Sequence, residues 1–230
     1  MPYQDHDGFM ARVYDGDYAV ARTPDGDVDF YVAEAKRGGG PVLELGCGTG
    51  RILVPTAEAG IEICGVDEST AMLAEAERKL QGRGLPATLV HGDMRDVDLK
   101  RRFALVTIPF RAIAHVEEAD DHVRVLRNVR RHLAPDGRLV FDFFHPKLDR
   151  LAAPWGERLE IERVEGGRTF RRYARGAPDP VRQVTRIEFR WEIEDAGGGV
   201  ETHQVSFNMR WFHRFELEHL LARCGFSIGA

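Results

Sequence analysis

Residues 41–51, PVLELGCGTGR, restrict the fold more tightly than any other stretch of this chain. Val42-Leu43-Glu44-Leu45 is a short apolar run with one acid, of the length and character of a strand buried on both faces in a parallel sheet. It breaks at once into Gly46, Gly48 and Gly50, and residues 51–59 then read as a helix. A strand that turns on glycines into a helix offers backbone N–H groups and a helix N-terminus to a polar or anionic ligand edge. A nucleotide-like ligand is therefore expected across this turn.

The pattern downstream alternates. Strands are expected at 42–45, 61–66, 87–91, 104–109 and 138–144, with helices at 51–59, 70–81 and 119–133. In the last two helices Met72, Leu73, Ala76, Leu80 and Val123, Leu126, Val129, Leu133 recur at helical spacing. Five strands alternating with helices predict an α/β fold with a doubly wound, parallel, Rossmann-like sheet, whose ligands lie beyond the carboxyl ends of the strands. From 157 to 211 the texture changes. Runs at 159–164, 169–174, 185–193 and 202–211 alternate in polarity between the turns Gly166-Gly167, Pro178-Asp179-Pro180 and Gly197-Gly198-Gly199, as antiparallel strands half open to solvent do. A helix over 213–224, with Phe215, Leu217, Leu220 and Leu221 on one face, leads to the start of another strand at 225–228.

Three units follow: a leader or lid, 1–40; a Rossmann-like domain, 41–156 and 212–230; and an antiparallel β insertion, 157–211, serving as substrate cap or dimer surface. The leader has too few apolar residues for a core of its own, so it must lie on the domain that follows. One helix is expected in it, at 28–36. Tyr3, Tyr14, Tyr18 and Tyr31 either pack there or close over a ligand; Tyr14 and Tyr18 are the lid candidates, because the glycine- and aspartate-rich stretch around them reads as irregular.

Composition narrows the partner. With 32 Lys and Arg against 37 Asp and Glu, the net charge of −5 gives no electrostatic reason to expect a nucleic-acid backbone, so a small molecule is the expected partner. Cys47, Cys64 and Cys224 form no Cys-x-x-Cys pair and read as buried thiols of a reducing, cytoplasmic compartment. No run approaches the ~20 apolar residues that span a bilayer. The histidines lack metal-ligand spacing and no carboxylate cluster suits magnesium, so no metal is expected.

Chemistry concentrates at the strand ends. Arg51 stands where the dinucleotide fingerprint Gly-x-Gly-x-x-Gly needs its third glycine. Asp67 closes the second strand ~20 residues after the turn, where an acid accepts ribose hydroxyls or caps the next helix. The third strand ends in Gly92-Asp93-Met94, an acid for an exocyclic amine beside an apolar side chain for a purine ring. The fourth ends in Pro109-Phe110-Arg111, with His115 following, and this loop should border the reactive end of the ligand. His115 is a candidate base, or else a loop-packing histidine; Arg111 binds an acidic substrate group or makes a structural salt bridge. His145 and Trp155 are weaker candidates for the pocket wall.

Glu44-Leu45-Gly46-Cys47-Gly48-Thr49-Gly50, Gly65-Val66-Asp67, Gly92-Asp93-Met94 and Leu133-Ala134-Pro135-Asp136-Gly137-Arg138-Leu139-Val140 together resemble the class I S-adenosylmethionine-dependent methyltransferases over roughly residues 40–145. By that resemblance Glu44 and Gly46 hold the amino-acid end of S-adenosyl-L-methionine, Asp67 the ribose, and Asp93 with the Met94 backbone the adenine. Cys47, Gly48, Gly50, Arg51, Glu68, Met72, Gly92, Pro109, Phe110 and Tyr14 complete the implied cofactor site, and His115, Arg111 and Tyr14 the catalytic set. A closer likeness is to sugar N,N-dimethyltransferases of macrolide biosynthesis, on His91 to Asp96, Arg101-Arg102-Phe103, His115 and the β insertion. The resemblance implies methyl transfer to an N or O nucleophile of a small molecule; a homodimer through the β insertion is a separate option. It also implies a closing antiparallel hairpin, of which Gly225 to Ala230 supplies only the start. Two alternatives stay open: an NAD-dependent oxidoreductase, and a non-catalytic cofactor-binding or dimerisation module.

Overall fold

The computed structural model describes residues 8–21, 26–143 and 148–229. Tyr3 and His145 lie outside them. In chain order the elements are α1 (Phe9–Ala21), α2 (Asp27–Gly38), β1 (Val42–Leu45), α3 (Leu53–Glu58), β2 (Ile63–Asp67), α4 (Thr70–Arg83), β3 (Thr88–His91) and β4 (Phe103–Ile108). A 3-10 turn (Ala112–His115) precedes α5 (Ala119–His132), β5 (Leu133–Phe141) and α6 (Leu148–Leu151). The chain then runs through β6 (Trp155–Glu165), β7 (Arg168–Asp179), β8 (Val184–Glu194) and β9 (Val200–Arg210) into α7 (Arg214–Arg223).

The first five strands form a parallel sheet in the order β3-β2-β1-β4-β5. All four residues of β1 are buried, as its apolar run requires of a central strand. Strand order reverses between β1 and β4, so the crevice above their carboxyl ends is the place for a ligand. Leu43, Leu45, Val106 and Ile108 pack under α5 on Val125 and Val129, while Val42 and Leu105 join Ala35, Leu53 and Val54 on the opposite layer. No helix among the described residues is long and apolar enough to cross a membrane.

The second sheet is antiparallel, in the order β6-β7-β8-β9. Its inner face carries Ala174, Phe189, Trp191, Ile193, Val205 and Phe207, which pack on Phe9, Met10 and Val13 of α1 and on Met72 of α4. Its outer face is a ladder of charges: Arg171 lies 2.7 Å from Glu162 and 2.8 Å from Glu194, and Arg190 reaches Glu157 at 2.7 Å. Exposed pairs of this kind add little stability; they keep the face solvated and fix its register.

Four expectations change. The irregular part of the leader is a 13-residue helix, α1, packed against the antiparallel sheet as well as against α4. Gly16 and the aspartates lower its local propensity, but tertiary burial of Phe9, Met10 and Val13 overrides that cost. The second leader helix runs 27–38 rather than 28–36. β5 begins at Leu133, because Leu133 pairs with Phe103 before a bulge restores the main register at Leu105 with Arg138. Residues 226–229 form no strand, since an extended segment becomes one only with a ladder partner; Phe226 instead packs beside Leu139 and Phe141.

Candidate active site

The glycine turn is braced from inside. Gly46 N–H and Cys47 N–H donate to the Val66 carbonyl at 2.8 and 3.1 Å, Gly48 N–H to Asp67 Oδ2 at 2.8 Å, and Gly50 N–H to the Cys47 carbonyl at 2.9 Å. In this structure these amides are engaged within the protein. Glycine is needed at 46 for two reasons: its φ is 72°, and a Cβ there would stand 2.6 Å from Ala112 Cβ. The loop after β4 thus rests directly on the turn. Met94 arrives from the third side, its Cε 3.5 Å from the same point.

Around the turn stand acids. Glu44 is 1% exposed and its Oε2 has no hydrogen-bond partner among the described residues. Burial pushes its carboxyl up to about 8; the Arg51 cation opposes this and the nearby Asp67 adds to it. Thr107, its register neighbour on β4, likewise has a buried, unpartnered Oγ1. Asp67 accepts the Gly48 amide on one oxygen and the Ser69 amide, at 2.8 Å, on the other. Burial raises its pKa against the pull of those amides. Ser69, not Asp67, caps α4, accepting the Met72 amide at 3.3 Å. The Glu68 amide also acts on the Asp67 carboxylate, which still keeps acceptor capacity for a ligand hydroxyl.

At β3, Gly92 N–H donates to the Asp67 carbonyl at 3.0 Å, so this strand end is pinned to β2. The Asp93 carboxylate receives the Arg95 amide at 2.7 Å and Arg95 Nε at 2.6 Å; Arg95 continues to Asp121 at 2.8 Å. Burial works against the Asp93 anion, but Arg95 outweighs it and holds the carboxyl below its ordinary range. Glu68 beside it is raised, first by burial and then by the Asp93 charge. Met72 is 4% exposed and packs in the apolar cluster with Phe9 and Met10.

Two neighbouring residues of the β4 loop hold strained backbone: Phe110 at φ 56° and Arg111 at φ 63°. Phe110 is gripped from both sides. The Arg51 guanidinium lies 4.5 Å from its ring centre, while Tyr18 and Tyr14 of α1 meet its edge at 4.9 and 6.3 Å. Arg51 is itself held by Asp27 in a bidentate pair at 3.1 and 2.6 Å. Pro109 closes the turn by accepting the Ala112 amide at 3.2 Å. Arg111, half-buried, accepts the Ala114 amide at 2.8 Å on its carbonyl.

His115 is half-buried by surface and enclosed by the antiparallel sheet, 5.4 Å from the Phe207 ring and hydrogen-bonded to the Asn208 backbone. Burial lowers its pKa to about 4, so the ring is neutral at pH 7. His122 is lowered to about 4 for the same reason. Both groups fall below the ordinary 6.5, so the stability they confer is complete above about pH 6.5 and drains away as pH falls toward 4. In thermal melts between pH 6.5 and 4.5, His122→Gln should lose less Tm than the wild type as pH falls, because this histidine's contribution is then absent.

The structure thus places Glu44, the glycine turn, Asp67, Glu68, Asp93 and Met94 at the carboxyl ends of β1, β2 and β3, with Phe110 after β4 meeting Tyr14 of α1. Trp155 stands against Gly176 and, like Tyr14, packs against the apolar cluster between α1 and the antiparallel sheet. The sequence reading missed Asp15, Asp17, Asp27 and Arg172. Asp27, at the head of a helix, carried a weak signal; Arg172 carried none. A groove of about 500 Å³ between α4 and β3 is lined by Leu73, Leu80, Leu85 and Leu89 and reaches Thr70 and His91 beside the ends of β2 and β3. Among the described residues no three His, Cys, Asp or Glu side chains gather as a metal site.

Residues 42–137 match a family model described as a methyltransferase domain. Over 180 residues the chain is 32% identical to the dTDP-4-amino-2,3,4,6-tetradeoxy-D-glucose N,N-dimethyltransferase of Saccharopolyspora spinosa, covering 68% of this chain and 70% of that protein. The chain belongs to the class I S-adenosylmethionine-dependent methyltransferases. Within that family it is 28% identical to the dTDP-3-amino-3,6-dideoxy-alpha-D-glucopyranose N,N-dimethyltransferase of Streptomyces fradiae, over 99% of this chain and 87% of the relative. The crystal structure of Streptomyces venezuelae DesVI superposes with a TM-score of 0.80 at 25% identity, covering 95% of this chain and 91% of that one. Membership of the methyltransferase family displaces the oxidoreductase alternative. The parallel sheet with an antiparallel sheet after β5 is the architecture expected.

Proposed function

We propose that this methyltransferase moves the methyl group of S-adenosyl-L-methionine onto the amino nitrogen of a small, nucleotide-linked amino sugar. The sign of the site carries the reading. Glu44, Asp67, Glu68 and Asp93 gather at three strand ends while the turn amides face inward. A pyrophosphate would meet carboxylates there in place of donors. A ligand with an ammonium, a sulfonium, a ribose diol and an exocyclic amine meets an acceptor for each. The unpartnered, buried Glu44 carboxyl fits the ammonium.

The cofactor supplies a methyl group on positively charged sulfur. Asp67 would hold the ribose, and Asp93 with the Met94 backbone the adenine. Arg51, tied to Asp27, holds Phe110 in place. The acceptor would enter between Tyr14, Phe110, Arg111 and His115, with Arg111 facing an acidic group of the substrate. A histidine with pKa about 4 binds protons weakly at pH 7, so His115 orients an amine N–H rather than storing its proton. In-line displacement then relies on positioning, which supplies on the order of 7–11 kcal/mol. Of the two roles expected for the antiparallel sheet we favour the cap, since its inner face seats α1 and its outer charges pair with one another.

The names of the two amino-sugar N,N-dimethyltransferase relatives support the acceptor class. Calorimetry with S-adenosylhomocysteine, then mass spectrometry of amino-sugar nucleotides incubated with the cofactor, tests both halves. Absence of binding at millimolar concentration sinks the cofactor reading. Binding without any methylated sugar sinks the acceptor reading and favours a non-catalytic module.

A further inference from the structure

α1 reaches both sheets through acids two residues apart. Asp15 accepts a hydrogen bond from Thr49 Oγ1 at 2.7 Å and pairs with Lys79, whose Nζ donates to the Thr49 carbonyl at 2.8 Å. Thr49 belongs to the glycine turn, so this is a contact with the cofactor side. Asp17 turns the other way. Its Oδ1 accepts Arg163 Nε at 2.8 Å, and its Oδ2 accepts Trp191 Nε1 at 2.8 Å and Arg172 Nη1 at 3.5 Å. Strands β6, β7 and β8 therefore converge on one carboxylate.

The two contacts differ in strength. The Asp15 side chain is 41% exposed, and such a pair is readily exchanged for water. Asp17 is 1% exposed, with Arg172 at 3% and Arg163 at 9%, so breaking that cluster would strand charges in the interior. Gly16 is a second, independent sign of close fit. A Cβ at this helix-interior glycine would stand 2.7 Å from Arg163 Cζ, so the glycine makes room for the guanidinium. Beyond Asp17, Arg172 lies 5.1 Å from the Tyr18 ring centre, and Tyr18 meets Phe110. A continuous chain of contacts thus runs from the buried acid to the acceptor loop.

We propose that Asp17 is a positioning residue for the acceptor side: it fixes α1 to the antiparallel sheet so that Tyr14 and Tyr18 stand against Phe110, while Asp15 is a separate, weaker latch onto the glycine turn. α1 and the antiparallel sheet then move as one body when the latch opens. For its kinetic consequence alone, the inference rests on the methyltransferase reading above.

Asp17→Asn in the full chain is the test, followed by hydrogen exchange. Amides of α1 should exchange at least about tenfold faster than in the wild type, with β1 and β4 unchanged, and Asp15→Asn should leave α1 exchange within about threefold. The KM for an amino-sugar nucleotide should rise at least about tenfold in Asp17→Asn, with S-adenosylhomocysteine affinity within about threefold. A structural role alone would lower Tm without that split. Should Asp17→Asn fail to fold, Gly16→Ala keeps every charge and should loosen α1 in the same way. Unchanged α1 exchange, or equal loosening of β1 and β4, overturns the inference. Loss of S-adenosylhomocysteine binding in the wild type would instead overturn the cofactor reading, and the exchange result would stand by itself.

Discussion

Asp67→Ala is expected to weaken S-adenosylhomocysteine binding by roughly a hundredfold, as the loss of one or two charge-assisted hydrogen bonds does. The side chain is proposed to serve the ligand, and it demonstrably serves the protein. Its two oxygens accept the Gly48 and Ser69 amides, so alanine removes a ribose partner and also frees the glycine turn from β2. Both effects lower affinity. Asp67→Asn separates them, because an amide oxygen can still accept from one of the two backbone groups while the charge is gone. Titration calorimetry on the three proteins measures the series, and affinity within threefold of wild type for Asp67→Ala would remove Asp67 from the site.

Cofactor affinity should also rise with pH, and Glu44 is the reason. Its carboxyl, ordinarily at 4.5, is raised to about 8 in the buried site, so it is largely protonated at pH 7. An ammonium ligand binds the carboxylate, so binding must expel that proton. Below about pH 8 the affinity should climb toward tenfold per pH unit, and level off above it. Titrations in buffers of different ionisation enthalpy should reveal about one proton released, and Glu44→Gln should abolish both the release and the slope. The same shift acts oppositely on folding. A carboxyl raised from 4.5 to about 8 gives stability that is full below pH 4.5 and lost as pH rises through 8. The empty protein should therefore soften where the site binds most strongly. A pH-independent affinity would overturn the assignment of Glu44 to the ammonium.

The parallel sheet was legible because its signals are local. Each strand breaks into its own turn within a few residues, and the glycines at 46, 48 and 50 announce the first one. The placement of Glu44, Asp67 and Asp93 at strand ends was legible for the same reason. α1 was not. Its helix depends on Trp191, Phe189 and Val205, more than 150 residues away in sequence, and Gly16 argues against a helix until Arg163 is seen beside it. Asp17 looked like one of several solvated aspartates, whereas its partners lie 146, 155 and 174 residues downstream. The inward use of the turn amides was equally hidden, since a glycine pattern does not say which way its N–H groups point. His115 was correctly placed on the β4 loop, but its low basicity comes from burial under β9, which only the assembled fold provides.

The left-handed backbone at Phe110 and Arg111 has a consequence for how such an enzyme changes over evolutionary time. Two non-glycine residues in that region together store on the order of 2–6 kcal/mol, held in place by Arg51, Tyr14 and Tyr18. A glycine at position 110 would relax the backbone and at once dissolve the ring cluster of Phe110 with Tyr14 and Tyr18. If the acceptor enters here as proposed, the loop offers a route by which a lineage gains robustness while surrendering selectivity, and a new acceptor preference would be built there without touching Glu44, Asp67 or Asp93.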